Sequence, residues 1–470
     1  MKHKFIFLSF LLAVFFAVGR TQAQEILTLE EAVKIALENN YDIRLAKNNL
    51  EINDLNVSLA NAGITPAVGA NLNDNNGILT TRQVQSDGSI RERNNARNTN
   101  LNYGLSLNWT IFDGFGMFAR YDQLQEFRKL GETELQQTIL TKVGDVMNTY
   151  YNLIQQQQQL RAYDSAIYIS RMRLDVAQTR FTIGKAARLA VLNAQVDLNT
   201  DTTNYLRQRQ LYANTKTQLN EILARDINTD FRVADSIQID SNLTLGTLTD
   251  LAQQQNPALK SAIINKRVAE LDFKQVRASR YPTVGLNAGY NFSRSESALG
   301  FATSSTGRGP TYGLSASVNL FNFGLQRRNE KIANIQIRNA QLQQEQVNLN
   351  INSQLTTAYQ VYLTNLSLVN LERKNQEIAR RNLEITLDKY RLGTLTPVEF
   401  RDAQLNQLNA EVRYSSAQYQ AKIAEIALKE IAAMANRIMG NPEVIEKPVQ
   451  VIAVKISSDK AIHLSGFPKC

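Results

Sequence analysis

The sequence predicts a mainly α chain that also builds part of a membrane β-barrel, as a duplicated helix-strand-strand-helix repeat with four strands per chain and long coiled-coil helices. Three observations predict it. The stretch QTRFTIGKAARLAVLNAQV, from Gln178 to Val196, returns as LDKYRLGTLTPVEFRDAQL, from Leu387 to Leu405, with Phe181, Ile183, Gly184, Ala194 and Gln195 matching Tyr390, Leu392, Gly393, Ala403 and Gln404. Each half carries runs that alternate apolar and uncharged polar residues, the period of a strand with two different faces. Each half also carries a long proline-free run with apolar residues every seven positions, the period of a left-handed coiled coil.

The chain opens with basic Lys2 and Lys4, an apolar run from Phe5 to Val18 and small residues before Ala23. Residues 1–23 read as a secretory signal, with an uncleaved anchor as the alternative. No cysteine follows it, so lipid attachment at the new N-terminus is not expected.

The first repeat is expected over residues 24–225. Thr28 and Glu31 stand as a capping box ahead of helically spaced apolar residues, and the pattern breaks near Asn39 and Asn40. Strands are predicted at about 66–73 and 101–112; in the second, Leu101, Tyr103, Leu105, Leu107, Trp109 and Ile111 alternate with Asn102, Gly104, Ser106, Asn108 and Thr110. Residues 74–100, polar throughout, read as an exposed loop. Helices follow at about 115–182 and 186–225, the first with its seam at Ile139, Val146, Leu153, Leu160, Ile167, Leu174 and Phe181. The return helix carries its seam at Val191, Leu198, Tyr205, Tyr212 and Leu219.

After an irregular link at 226–250, the second repeat runs over 251–438, where Asn256 and Pro282 take the places of Asn40 and Pro66. Its strands are predicted at about 283–293 and 311–321 around a polar loop at 294–310, and its helices at about 324–391 and 396–438. Residues 439–470 form a tail with no assigned role, ending in Cys470.

A run of roughly 10 residues suffices for a tilted strand to cross the hydrocarbon layer. A soluble sheet with one buried face would alternate too. Here the second face is Asn, Ser, Thr and Gly without charge, which suits a wet lumen. Four strands cannot close a barrel, and an open edge is not tolerated in lipid, so several chains must share one.

Composition narrows the chemistry. The 470 residues hold one cysteine, Cys470, and two histidines, His3 and His463, from which no metal cluster, disulfide framework or Ser/His/Asp triad can be assembled. No catalytic residue, cofactor or metal is expected. The formal charge of +9 is spread along helices with no basic patch, so nucleic acid is not an expected partner.

With the repeats in place, the tip motifs FTIGKAARLAVLNAQ and YRLGTLTPVEFRDAQ resemble the helix-tip signatures of the TolC-type outer-membrane efflux proteins, and the resemblance covers the chain to about residue 438. It implies three chains sharing a twelve-stranded barrel in the outer membrane of a Gram-negative-type cell, with a helical tunnel across the periplasm. It implies a homotrimer in outer-membrane lipid whose tips meet a periplasmic adaptor, a membrane fusion protein, carried by an inner-membrane pump. By resemblance, Ile183, Gly184 and Lys185 on the outer helix pair and Leu392, Gly393 and Thr394 on the inner pair dock the adaptor, while Tyr390, Glu399 and Asp402 form the pore constriction. Glu399 and Asp402 also stand three apart on one helix face, so a threefold axis would stack them as acidic rings that attract cations and raise one another's pKa. A solvated face with Arg401 as neighbour is the plainer reading. The sequence departs from the family where Leu395 replaces a basic residue and Ala190 an acidic one, so the charged latch is absent and contacts from Arg188 or Arg391 are expected in its place.

The function expected is a passive export duct of a tripartite efflux or type I secretion system. The alternatives are a periplasmic coiled-coil scaffold and a carboxylate hydrolase.

Overall fold

The structure is a computed structural model that describes residues 26–297 and 302–434; the leader at 1–23 and the tail at 439–470 lie outside the described residues. The order is α1 (Leu29–Asn39), α2 (Tyr41–Asn56), β1 (Ala67–Val84), β2 (Ile90–Phe112), α3 (Gly116–Thr182), α4 (Arg188–Ile222), α5 (Leu245–Gln255), α6 (Pro257–Ala278), β3 (Thr283–Ser297), β4 (Ser304–Ser317), α7 (Leu325–Leu392) and α8 (Pro397–Ile431). No described helix is long and apolar enough to cross a membrane. The chain divides into two compact units, one within Ala46–Gln136 and Pro257–Leu349, the other within the remaining ranges.

The first unit holds an antiparallel sheet in the order β1-β2-β3-β4. Leu105 lies opposite Ala70 and Tyr290, and Tyr290 opposite Pro310. Directly opposed residues share a face. Val68, Leu72, Tyr103, Leu105, Tyr290, Tyr312 and Leu314 therefore form one exposed apolar face. The opposite face carries Asn71, Asn73, Asn102, Asn287 and Asn291. Tyr103 stacks on Phe292 with centroids 4.9 Å apart, and Gly104 lets the strands approach where a Cβ would stand 2.5 Å from the Tyr290 carbonyl oxygen.

Three strand expectations need correction. Residues 74–100 are not a loop: β1 and β2 stay paired from Asp74↔Leu101 to Val84↔Ile90, with an irregularity between Leu79 and Thr81, and only residues 85–89 turn. With both faces wet the backbone ladder needs no apolar alternation, so the sequence shows none. β4 spans Ser304–Ser317, not 311–321, because its partner β3 begins at Thr283, after Pro282, and pairing ends at Thr283↔Ser317. β3 likewise runs on to Ser297. Both strand-to-helix junctions use paired left-handed residues, Gly114 and Phe115 at φ 73° and 69°, then Phe323 and Gly324 at φ 51° and 77°. At Gly114 a Cβ would lie 2.3 Å from the Ala278 carbonyl oxygen, so the close approach also demands glycine there.

The second unit is helical. Thr28 and Glu31 cap α1 reciprocally. The side-chain amide of Asn40 donates to the Ile222 carbonyl at 2.8 Å and that of Asn256 to the Ile431 carbonyl at 2.9 Å, so each repeat closes its return helix on its own opening by the same bond. Val146, Leu153, Leu219, Leu223, Leu355, Tyr362 and Leu428 are buried. The link between repeats is pinned by the Tyr150 hydroxyl, which donates to Leu27 O at 2.9 Å and accepts from Ala234 N at 3.2 Å, and by buried Glu425, which accepts from Asp240 N at 3.0 Å and pairs with Lys422 and Lys429. On α4 the fully buried seam differs from the expected one. Ala194, Asp201, Gln208 and Thr215 are buried, a largely polar row at seven-residue spacing, while Leu198, Tyr205 and Tyr212 are only half-buried.

Candidate functional site

The two tips lie in the helical unit, where α3 turns into α4 and α7 into α8. Both first helices end in the same way. Lys185 N donates to Arg180 O at 2.8 Å and Gly184 N to Phe181 O at 3.0 Å; Thr394 N donates to Lys389 O and Gly393 N to Tyr390 O, each at 3.1 Å. This paired pattern needs a left-handed residue after the helix, and Gly184 and Gly393 supply it at φ 73° and 82°.

The second helices begin differently. The hydroxyl of Thr396 accepts from Glu399 N at 3.3 Å, the Glu399 carboxylate accepts from Thr396 N at 3.0 Å, and Pro397 occupies the first turn. Ala187, in the equivalent place, offers no side-chain cap.

The sequence-predicted residues separate into two groups. Ile183 at 60% and Leu392 at 79% exposure stand out into solvent, with Gly184, Lys185, Gly393 and Thr394 also exposed. Tyr390 is packed inside the protomer. It is only 3% exposed, stacks on Phe400 at 4.7 Å, lies 5.0 Å beneath the Arg180 guanidinium, and packs in a cluster with Leu383 and Ala403 that Leu395 borders. Glu399 and Asp402 are both exposed, but one Glu399 oxygen is committed to the cap. The Thr396 hydroxyl, then its backbone N–H, hold the Glu399 carboxyl below the usual carboxylate range within one chain, the opposite direction to that expected of a like-charged ring.

Of the two arginines expected to join the tips, Arg391 alone reaches across, to Met172 on α3. Arg188 is exposed, and Arg391 reaches Met172 Sδ at 3.4 Å and Asp388 at 3.9 Å. Arg401 is the connector. It grips Asp201 with both terminal nitrogens, at 2.7 and 2.9 Å, lies 3.6 Å from Asp197, and donates to Gln404 at 3.2 Å. Ser170 donates to Asp201 at 2.5 Å and accepts from Gln404 at 2.9 Å, while Arg173 pairs with Asp197. Asp201 is 1% exposed. A carboxylate so buried persists only when paired and hydrogen-bonded. The network ties α8 of the second repeat to α3 and α4 of the first. Nearby, Arg180 donates to the Tyr390 carbonyl at 2.7 Å, a second tie from α3 to α7. The sequence does not single out Asp201, which lies off the expected α4 seam of Val191, Leu198, Tyr205, Tyr212 and Leu219.

Comparison with known proteins follows this duplicated plan. The family model described as outer membrane efflux protein matches residues 32–225 and 248–433, both repeats. Outer membrane protein TolC of Escherichia coli (strain K12) is 22% identical over 325 residues, covering 67% of this chain and 65% of TolC's length. Among solved structures, the Campylobacter jejuni CmeC outer membrane channel superposes with a TM-score of 0.73 at 15% identity, over 90% of this chain and 89% of that one. The Neisseria gonorrhoeae MtrE outer membrane channel, solved in its open state, gives 0.66 at 15% identity over 86% and 88%. With both repeats matched in order, the chain belongs to the outer membrane efflux protein family.

Proposed function

We propose that this chain is a passive outer-membrane export duct, three copies of which close one barrel and one helical tunnel. The observation that carries the reading is the sheet: β1 and β4 have free edges, and one face is apolar and exposed in every strand. Free edges in hydrocarbon leave backbone donors and acceptors unsatisfied, so further copies must pair with them. The asparagine-lined face then bounds a wet passage without fixed charge. No catalytic step is assigned to the chain.

The exposed tips at Ile183–Lys185 and Leu392–Thr394 suit docking by a periplasmic adaptor borne by an inner-membrane pump. The Arg401–Asp201 grip holds the second-repeat pair against the first, and opening separates them. Asp402, exposed on α8, together with Glu399, supplies the acidic constriction; Tyr390 supports it from behind.

The test is where the expressed protein fractionates and its native mass in detergent. An outer-membrane trimer supports the duct. A soluble periplasmic monomer means that the apolar face does not meet lipid, and the scaffold reading replaces it.

A further inference from the structure

The one contact that Arg391 makes across to the first repeat ends on a sulfur atom, and that sulfur differs from the others in the fold. Met117, Met147 and Met434 are sealed in the core at 3%, 1% and 8% exposure. Met172 alone of the methionines among the described residues is half-buried. Met1, Met439 and Cys470 lie outside the described residues. Oxidants reach sulfur in proportion to its access to solvent, so Met172 is the methionine of the fold that is open to oxidation.

Its position gives that oxidation a consequence. Met172 stands on α3 between Ile169 and Val176, both of which pack against the Tyr390 cluster. Residues three and four apart share a helix face, so Met172 lies at the border of that cluster. Its sulfur is 3.4 Å from the Arg391 Nη2 on α7. A thioether is a weak acceptor, and the guanidinium has five donors to satisfy. The carboxylate that Arg391 pairs with, Asp388, is 3.9 Å away with its side chain 75% exposed, so the arginine is free to take a better acceptor. The contact is thus a weak companion to the bond from Arg180 to the Tyr390 carbonyl, which also ties α3 to α7.

We propose that Met172 is an oxidation site whose sulfoxide tightens the tie between the tips. The thioether sulfur attacks one oxygen of a peroxide and the O–O bond breaks. Sulfur gives up two electrons and becomes the sulfoxide, while the other peroxide oxygen leaves as water with both protons. The new oxygen then accepts from the Arg391 guanidinium in a charge-assisted bond, stronger than the thioether can make. A thiol-dependent reductase restores the thioether, so the change is reversible. Oxidation of this single atom makes it harder for α7 to part from α3. Its effect on a channel rests on the export-duct reading; the chemistry at Met172 does not.

The test exposes the purified full chain in detergent to hydrogen peroxide and follows each methionine by peptide mass spectrometry. Met172 is expected to oxidise before Met117, Met147 and Met434. Protein oxidised at Met172 is expected to melt about 2 °C higher and, in a planar bilayer, to open roughly fivefold less often. Methionine sulfoxide reductase with dithiothreitol is expected to reverse both changes. Met172→Leu is expected to abolish both responses, and Arg391→Gln to abolish them while Met172 still oxidises. Oxidation of Met172 no faster than that of the buried methionines overturns the site. An unchanged or lower melting temperature after oxidation, or a response that survives Arg391→Gln, overturns the tie. A protein that forms no channel before oxidation is a different result: it removes the duct reading, and the melting shift still decides the tie.

Discussion

The two tips share one backbone and differ in what holds it. Each closes its long helix with the same pair of hydrogen bonds around a left-handed glycine. Beyond that glycine, the first tip has no cap at Ala187 and shows Phe181, Ile183, Leu189 and Val196 to solvent. The second is capped by Thr396 and Glu399, buries Tyr390 on Phe400, and is gripped through Arg401. Duplication has thus kept the turn while the two copies diverged in role. Both tips present apolar surface, at Ile183 and Leu189 and at Leu392 and Val398, and the second is in addition tethered by its own protomer.

The largest way to break that difference is Asp201→Ala. Removing one partner from a buried ion pair leaves Arg401 uncompensated and is expected to cost about 3–5 kcal/mol, read as a lowered thermal transition of the purified protein. Asp197, already 3.6 Å from Arg401, is the one group placed to soften that loss, so Asp197→Ala with Asp201→Ala is expected to exceed either alone.

Gly184→Ala and Gly393→Ala sharpen the shared part. Both force a side chain into the left-handed region at about 1–2 kcal/mol. A Cβ at Gly184 meets no atom within 4 Å, and at Gly393 only Arg180 at 3.7 Å, so the two costs are expected to be nearly equal. Unequal losses in stability would mean that the tips are not backbone copies.

Thr396→Ala is expected to cost about 1 kcal/mol, and Ala187→Asp, which gives the first tip the cap it lacks, to recover a similar amount. The cap is also pH-dependent. Because Glu399 has a depressed pKa when folded, its contribution is present above the ordinary carboxylate range and is lost as pH falls through the folded value. Acid titration of helix signal should therefore differ between wild type and Thr396→Ala, with the gap closing at low pH. The smallest effect is expected from neutralising Asp402, which has no hydrogen-bond or ion-pair partner among the described residues and should leave stability unchanged while lowering cation preference in a bilayer recording.

Much of this was legible because duplication writes each feature twice. The glycine turns, the Asn40 and Asn256 joints and the apolar strand faces all follow from local residue type and period. What escaped the sequence depended on partners far away or on water. Asp201 carries no signal of its own in the sequence, and its role shows only when Arg401, two hundred residues on, is seen to cover it. The stacking partner of Tyr390 is not legible until Phe400, ten residues on across the turn, is found against its ring. The outer parts of β1 and β2 carry no apolar alternation, since neither face is buried, and so read as loop.

The proposed role of Arg401 is to hold the second tip shut against the first-repeat helices. Single-channel conductance of wild type and Asp201→Ala in a planar bilayer, with no adaptor present, tests it most directly. A small wild-type conductance that rises severalfold in the variant is the expected result; equal conductance in two folded, inserted channels would contradict it.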